Sequence, residues 1–153
     1  MKTVLEKRIR LTPENEKTNI LLPFAVEKSD KMIISYSYSP KHLGDSQRAR
    51  ELIEENLLRD THGDRDLYPD YREFLPLCNL VTLSLDSPYG YMGAAHRQDS
   101  QQKHIISEDF SSVGFVRGKI EEGEWILYLN VHDLVTEECI CEIKVETGGA
   151  DGE

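Results

Sequence analysis

Apolar and polar residues alternate along most of the first forty positions of the chain. The clearest case is MIISYSYS, Met32 to Ser39, in which Ile34, Tyr36 and Tyr38 alternate with serines. Period two is typical of a strand with one buried face. Val4 to Leu11 and Asn19 to Glu27 are predicted as two further strands. The second contains Pro23, which cannot donate to a ladder and therefore marks an edge position or a bulge.

The spacing of apolar residues changes to a helical period after about residue 45. Ala49, Leu52, Ile53 and Leu57 recur on one stripe, and glutamates and arginines occupy the rest of the segment. Asp45 or Ser46 provides the N-cap. The pattern predicts one amphipathic helix at about 46–59, inserted between strands.

The second half of the chain returns to short strands. NLVTLSLDSPYG, KHIIS, Glu124 to His132 and Glu138 to Glu146 are predicted as strands, whereas GYMGAAHRQDSQQ and SSVGFVRGKIEEG are predicted as loops from their composition. The strands follow each other without the βαβ rhythm of parallel sheets. We therefore predict a mainly β protein, an antiparallel β-sandwich of jelly-roll type. A single domain over 1–146 precedes a flexible acidic tail, 147–153.

Charge and composition narrow the classes of partner. The chain has 153 residues and a formal net charge of -10, with no basic stripe. Its field repels polyanions, so nucleic acid and anionic membranes are not expected as partners. The longest apolar runs fall far short of the roughly 20 residues of a spanning helix, and the N-terminus lacks the pattern of a secretory signal. We expect a cytoplasmic protein.

The cysteines and the glycine-rich segments do not predict a catalytic or metal site. Cys78, Cys139 and Cys141 are odd in number and irregular in spacing, which favours reduced, buried thiols over a disulfide framework or a zinc site. The glycine and lysine at 118 and 119 lack the spacing and the following Ser or Thr of a phosphate-binding loop. No metal and no cofactor is expected.

Two polar pairs, His96 with Arg97 and His132 with Asp133, are the strongest candidates for function. No serine lies in a nucleophile-elbow motif. Spacing does not exclude catalysis by a cysteine, because its partners meet in space rather than in sequence, but nothing in the sequence supports it. We therefore interpret these four residues, with Tyr91, as a binding patch and assign no catalytic residue. Structural roles are expected for Trp125, as a core anchor, and for Gly114, Gly118 and Gly123, as turn residues.

A set of turn, loop and strand-start residues follows a recognisable order after residue 78. Its members are Asp86, Pro88, Gly90, Gly93, His96, Arg97, Ile106, Ser107, Gly114, Phe115, Gly118, Ile120, Gly123 and Trp125. In this order the chain resembles the N-terminal accessory domain of bacterial PHP-type metallohydrolases of the CehA/McbA group. Met92 stands where that family commonly has arginine. A looser likeness extends to convertase P-domains and pre-peptidase C-terminal domains, which are jelly rolls.

The resemblance implies an accessory module without its own chemistry. In that family a separate PHP barrel with an H-x-H motif holds the metals, and no such motif occurs here. We expect a non-catalytic module that associates with a protein partner, such as a PHP-type hydrolase, with a second copy of itself, or with a small polar ligand. A metal-dependent phosphoesterase and a carbohydrate-binding module are the alternatives.

Overall fold

The computed structural model describes residues 1–60, 70–96 and 98–149, and its eight strands form two facing antiparallel sheets. One α-helix, α1, interrupts the strands, and short 3-10 turns lie at Pro13–Asn15 and Tyr71–Phe74. The elements are β1 Lys2–Leu11, β2 Thr18–Val26, β3 Lys31–Ser39, α1 Ser46–Asp60, β4 Leu80–Ser87, β5 Gly90–Ala95, β6 Gln101–Ser107, β7 Gly123–Asp133 and β8 Cys139–Gly148.

The strand order is that of an eight-stranded jelly roll. Sheet A has the order β1-β8-β3-β6, and sheet B has the order β2-β7-β4-β5. The first strand therefore pairs with the last, and the chain passes back and forth between the two sheets. The predicted antiparallel β-sandwich with one inserted helix is confirmed.

The core lies between the sheets and follows the predicted alternation. Ile34 and Tyr36 of β3 face inward and are buried, as are Leu83 of β4 and Trp125 of β7. The Tyr36 hydroxyl donates to the main-chain carbonyl of Val81 at 2.5 Å, which links sheet A to sheet B. Burial, followed by the nearby Cys141 thiol, raises the pKa of the Tyr36 phenol, so this group remains a neutral donor.

Helix α1 lies where the apolar spacing predicted it. The Asp45 carboxylate accepts from the Arg48 main-chain N–H at 3.0 Å and so satisfies one free donor of the first turn. Ala49 and Ile53 are buried, and Arg50 stacks over the ring of Tyr71 at 5.0 Å. Within the described ranges, no helix is long and apolar enough to cross a membrane.

Several strand ends differ from the predicted ones by one or two residues, and two differences concern β5 and the end of β8. Gly90–Ala95 was predicted as loop because of its glycines, and this prediction was wrong, since the segment forms β5 and pairs with β4. Strand β8 continues to Gly148, two residues beyond the predicted domain end at 146. Thr147 is buried and pairs with Lys2 on one side and Met32 on the other. Residues 150–153 of the predicted tail lie outside the described ranges.

Candidate functional site

The outer face of sheet B carries a group of apolar side chains, which we call the apolar patch. Cross-strand pairing places Leu21 of β2 level with Tyr128 of β7. One row further on, Pro23 pairs with Ile126, and the same row continues through β4 to Tyr91 of β5. Leu21 is 55% exposed and Tyr91 is 62% exposed, so these side chains meet solvent. The apolar patch is thus continuous over β2 and β7, and Tyr91 lies beyond the polar residues that β4 contributes to the two rows, Ser84 and Asp86.

A single carboxylate, that of Asp86, lies within the rows of the apolar patch. The Tyr128 hydroxyl donates to Asp86 Oδ2 at 2.8 Å. This hydrogen bond, together with partial desolvation, raises the pKa of the Tyr128 phenol. Asp86 is the only charged residue in these two rows, and its carboxylate is hydrogen-bonded to Tyr128. The rest of the surface formed by the two rows is largely apolar.

A β-bulge positions His132 at the far end of β7. Val131 pairs with Val81, and Asp133 pairs with Leu80, so β7 has one residue more than β4 at this point. His132 is the extra residue. A bulge increases the local twist and redirects the side chain that it carries. His132 accordingly projects from the end of the sheet and is exposed.

His132 joins a short chain of polar side chains on the same outer face. Its Nε2 lies 2.8 Å from Thr82 Oγ1, and the Asn130 amide donates to Thr82 Oγ1 at 3.4 Å. Thr82 is 3% exposed although it faces outward, because these two neighbours cover it. The contact with Thr82 orients the imidazole, and no described residue forms a hydrogen bond with its other ring nitrogen, Nδ1.

Of the residues predicted as a binding patch, Tyr91 lies apart from His132. Tyr91 lies level with Ile126, and His132 follows Ile126 by six positions, which is about 20 Å along a strand. His96 is exposed and directly follows the end of β5. Asp133 is exposed and lines a pocket at the end of the sandwich. Arg97 lies outside the described residues.

The residues expected to be structural lie at packed or constrained positions. Trp125 is fully buried, and its indole N–H donates to the Glu121 carbonyl at 2.9 Å. Gly114 has φ +95, and a Cβ there would lie 2.1 Å from the Ala94 carbonyl oxygen. Its segment closes the free edge of β5 through the Ala94 N–H, which donates to the Gly114 carbonyl. Gly123 also has positive φ, whereas the N–H of Gly118 donates to the Ser107 carbonyl.

The pocket that includes Asp133, here the end pocket, has a volume of about 520 Å³ and lies between α1 and the end of the sandwich. Arg48 and Arg59 of α1 line one side, and Lys41 and Cys78 line the other. Carboxylates of Glu16, Glu55 and Asp133 balance these cations. The end pocket therefore carries no strong charge of one sign, and apolar side chains such as Ile53 and Leu134 line it as well.

Asn79, which is fully buried, lies in the chain between Cys78 and Leu80, two residues that line the end pocket. Its Nδ2 donates to the Pro40 carbonyl at 2.9 Å and to the Thr136 hydroxyl at 2.8 Å, and its Oδ1 accepts from the Val135 N–H at 2.7 Å. Three connections meet at this side chain: the turn after β3, the start of β4 and the loop between β7 and β8. Sequence reasoning missed Asn79, since a single asparagine before a strand gives no distinctive signal.

Cys78 differs from the other two cysteines in its surroundings. It is half-buried, lines the end pocket and has Sγ 3.1 Å from His42 Nδ1, whereas Cys139 and Cys141 are fully buried. All three thiols are free. Contact with the Cys139 thiol, and then burial, raise the pKa of the Cys141 thiol and keep it protonated.

We expect one thiol to react with 5,5′-dithiobis(2-nitrobenzoate) in the native protein and three in denaturant. The reason is that thiolate reactivity requires access, which only Cys78 has among the three cysteines. Absorbance at 412 nm gives the count, and Cys78→Ser should remove the native signal. Two or more equivalents in the native state would contradict the placement of Cys139 and Cys141 in the core.

A second recess, the sheet A groove, runs across the outer face of sheet A. It is shallow and open, with a volume of about 960 Å³. Two rows of cross-strand partners form its surface. One row is Glu6, Lys144, Ser35 and Lys103, and the other is Arg8, Glu142, Ser37 and Gln101. The alternating serines of β3 correctly predicted that this side of the strand is polar. They did not predict that it forms the floor of a groove.

The fold and these surfaces define a jelly-roll module with an apolar patch, an end pocket and a polar groove. No protein-family model matches the chain, and no curated protein matches it. Among the described residues, no group of three or more His, Cys, Asp or Glu side chains could hold a metal ion.

Proposed function

We propose that this chain is a non-catalytic binding module that associates with a partner protein through the apolar patch. The observation that supports the proposal is the exposed apolar outer side of β2. An antiparallel sheet with one solvated face normally alternates apolar and polar residues. In ILLPFAV the inward residues Leu22, Phe24 and Val26 are buried, yet the outward Leu21 is apolar too and 55% exposed.

Exposed contiguous apolar surface costs free energy in water, and in monomeric proteins it commonly marks an interaction site. The apolar patch adds aromatic rings at Tyr91 and Tyr128 to the aliphatic side of β2. Tyrosine is enriched at protein interfaces because it combines a large apolar surface with a polar tip. The composition of the apolar patch therefore fits the centre of a protein interface.

The charge of the chain favours a particular kind of partner. The net charge is -10, and the carboxylates of Asp86 and Glu124 lie on the same face as the apolar patch. A second copy would bring like charges together, which disfavours self-association. We therefore assign the apolar patch to a different protein, one with an apolar surface bordered by Lys or Arg.

The resemblance to CehA/McbA-type accessory domains makes the catalytic barrel of a bacterial PHP-type metallohydrolase the first partner to test. In this proposal the module is cytoplasmic, and its three free thiols fit a reducing compartment. The module would add a protein-binding surface to the hydrolase without contributing a catalytic group.

The test compares two leucines of equal exposure, Leu21 in the apolar patch and Leu58 on α1, each 55% exposed. We expect a purified bacterial PHP-type barrel of the CehA/McbA group to bind the wild type in isothermal titration calorimetry. Leu21→Lys should weaken binding at least tenfold, since a charge would be desolvated at the interface centre, and Leu58→Lys should bind as the wild type does.

Absence of binding to the barrel would refute this choice of partner, and equal weakening by both variants would refute the apolar patch as the interface. Sedimentation velocity of the free chain tests whether it is a monomer or a dimer. A wild-type dimer that Leu21→Lys converts to a monomer would assign the apolar patch to a second copy and overturn the proposed heteromeric role.

The metal-dependent phosphoesterase stays an alternative prediction. Turnover of bis(p-nitrophenyl) phosphate by the purified chain with Mn²⁺ or Zn²⁺, together with stoichiometric bound metal, would replace the binding-module proposal with this alternative.

A further inference from the structure

The sheet A groove has a serine floor with longer polar side chains on both sides. Ser35 and Ser37 of β3 face outward and are half-buried between β8 and β6. Serine is the shortest side chain that carries a hydroxyl, so the sheet surface lies low along β3. Lys144 and Glu142 rise on the β8 side, and Lys103 rises on the β6 side.

The sheet A groove is locally positive on an acidic protein. Four cations, Lys7, Arg8, Lys103 and Lys144, line it against two carboxylates, Glu6 and Glu142. The chain as a whole carries -10. Charges more than about 8 Å away are largely screened at physiological ionic strength. A short anionic ligand in the sheet A groove therefore responds mainly to the local cations.

Two cations of the sheet A groove, Lys7 and Lys103, have no carboxylate partner among the residues that the structure describes. Arg8 lies 3.5 Å from Glu142, and Lys144 lies 3.9 Å from Glu146, so both are in exposed ion pairs. Lys103 forms no ion pair with any residue that the structure describes. It lies in the same row as Lys144, with Ser35 between them. Two strand spacings separate the two lysines, about 10 Å between their main chains.

The position of the sheet A groove argues against a peptide strand as its ligand. Peptides that bind sheets commonly pair with a free strand edge. The floor is formed by β8 and β3, and both strands are already paired on both sides. Recognition in the sheet A groove therefore depends on side-chain hydroxyl, amide, ammonium and carboxylate groups rather than on main-chain pairing.

We propose that the sheet A groove binds short acidic oligosaccharides of the uronic acid class. Ser35, Ser37 and Gln101 offer hydroxyl and amide groups to sugar hydroxyls, and Lys103 and Lys144 offer ammonium groups to two carboxylates. The four strands span about 14 Å, which fits a chain of a few sugars rather than a long polymer. This site lies on sheet A and the apolar patch lies on sheet B, so the result of testing one proposal does not decide the other.

Among the described residues that line the sheet A groove, Tyr36 is the only aromatic one, and it is 2% exposed, so none of them presents an exposed ring. Binding then depends on charge-assisted hydrogen bonds rather than on stacking. We expect affinity for trigalacturonate to fall as salt rises from 50 to 500 mM NaCl, and we expect the neutral trisaccharide maltotriose to bind far more weakly.

The experiment is a titration of the full ¹⁵N-labelled chain with trigalacturonate, followed by NMR chemical shifts. We expect the shift changes to fall at 6–8, 35–37, 101–103 and 142–144. Lys103→Gln should weaken binding roughly tenfold, the loss expected for one charge-assisted hydrogen bond. Lys119→Gln is the matched control, because Lys119 is also exposed but does not line the sheet A groove.

Three outcomes would overturn the proposal. One is an absence of shift changes in the sheet A groove at millimolar trigalacturonate. Another is equal affinity of Lys103→Gln and Lys119→Gln. The third is binding of tetraglutamate with the same shift changes and equal affinity, which would assign the groove to acidic peptides. Both substituted side chains are exposed, so unchanged melting temperatures are expected and confirm that the variants are folded.

Discussion

Trp125→Ala is expected to destabilise the protein by about 3–5 kcal/mol, the usual range for removal of a large buried aromatic side chain. Trp125 is fully buried at the start of β7, and it packs within the core between the two sheets. The substitution also leaves the Glu121 carbonyl without the indole N–H that lies 2.9 Å from it. Domains of this size are commonly stable by 5–15 kcal/mol, so the loss is a large fraction of the total.

Urea unfolding followed by far-UV circular dichroism measures the effect, because the substitution removes the only tryptophan and with it the usual fluorescence signal. Tyr89→Ala is the control, since Tyr89 is 81% exposed and its loss should change stability by less than about 0.5 kcal/mol. Trp125→Phe keeps a buried ring and should fall between the two. A loss below about 1 kcal/mol for Trp125→Ala would contradict the packing of β7.

Local pattern was sufficient to predict most strands and the facing of their side chains. In β3 the alternation placed Ile34, Tyr36 and Tyr38 on the buried face, and the structure confirms it. The reason is physical: successive side chains of a strand point to opposite faces, so burial on one side leaves a period of two in the sequence. The same argument held for the helical stripe of α1.

Prediction failed where pairing, rather than composition, decides the structure. Glycines at 90 and 93 favoured a loop, yet both have positive φ within β5, and Gly93 pairs with Leu85 of β4. Gly93 also lies so close to the segment at 114–115 that a Cβ would be 2.4 Å from the Gly114 carbonyl oxygen. A glycine needed for close approach of two chain segments has the same local signal as a glycine in a turn.

The candidate sites were harder to predict than the fold because each joins distant parts of the chain. The first row of the sheet A groove unites positions 6, 35, 103 and 144. No local motif links these positions, and only the register of the jelly roll brings them level. By contrast, His132 and Asp133 were noticed because they are adjacent in sequence. The bulge that redirects His132 depends on its pairing with β4 and was not predictable from the segment itself.

Asn79→Ala is expected to lower stability by about 3–5 kcal/mol, more than most polar substitutions. The amide of Asn79 is fully buried, donates to the Pro40 carbonyl and the Thr136 hydroxyl, and accepts from the Val135 N–H. Each buried group left without a partner costs about 1–3 kcal/mol. The substitution removes a partner from the Pro40 carbonyl and from the Val135 N–H, whereas the Thr136 hydroxyl keeps its hydrogen bond to the Glu138 carbonyl. Urea unfolding followed by circular dichroism gives the difference.

Asn130→Ala provides the matched control for this substitution. Asn130 is half-buried on the outer face of sheet B, and its amide donates to Thr82 and Ser84 at 3.4 Å, near the limit of a hydrogen bond. Because water can replace such contacts, we expect a loss below about 1 kcal/mol. Equal losses for the two variants would show that Asn79 does not hold together the turn after β3, the start of β4 and the loop between β7 and β8.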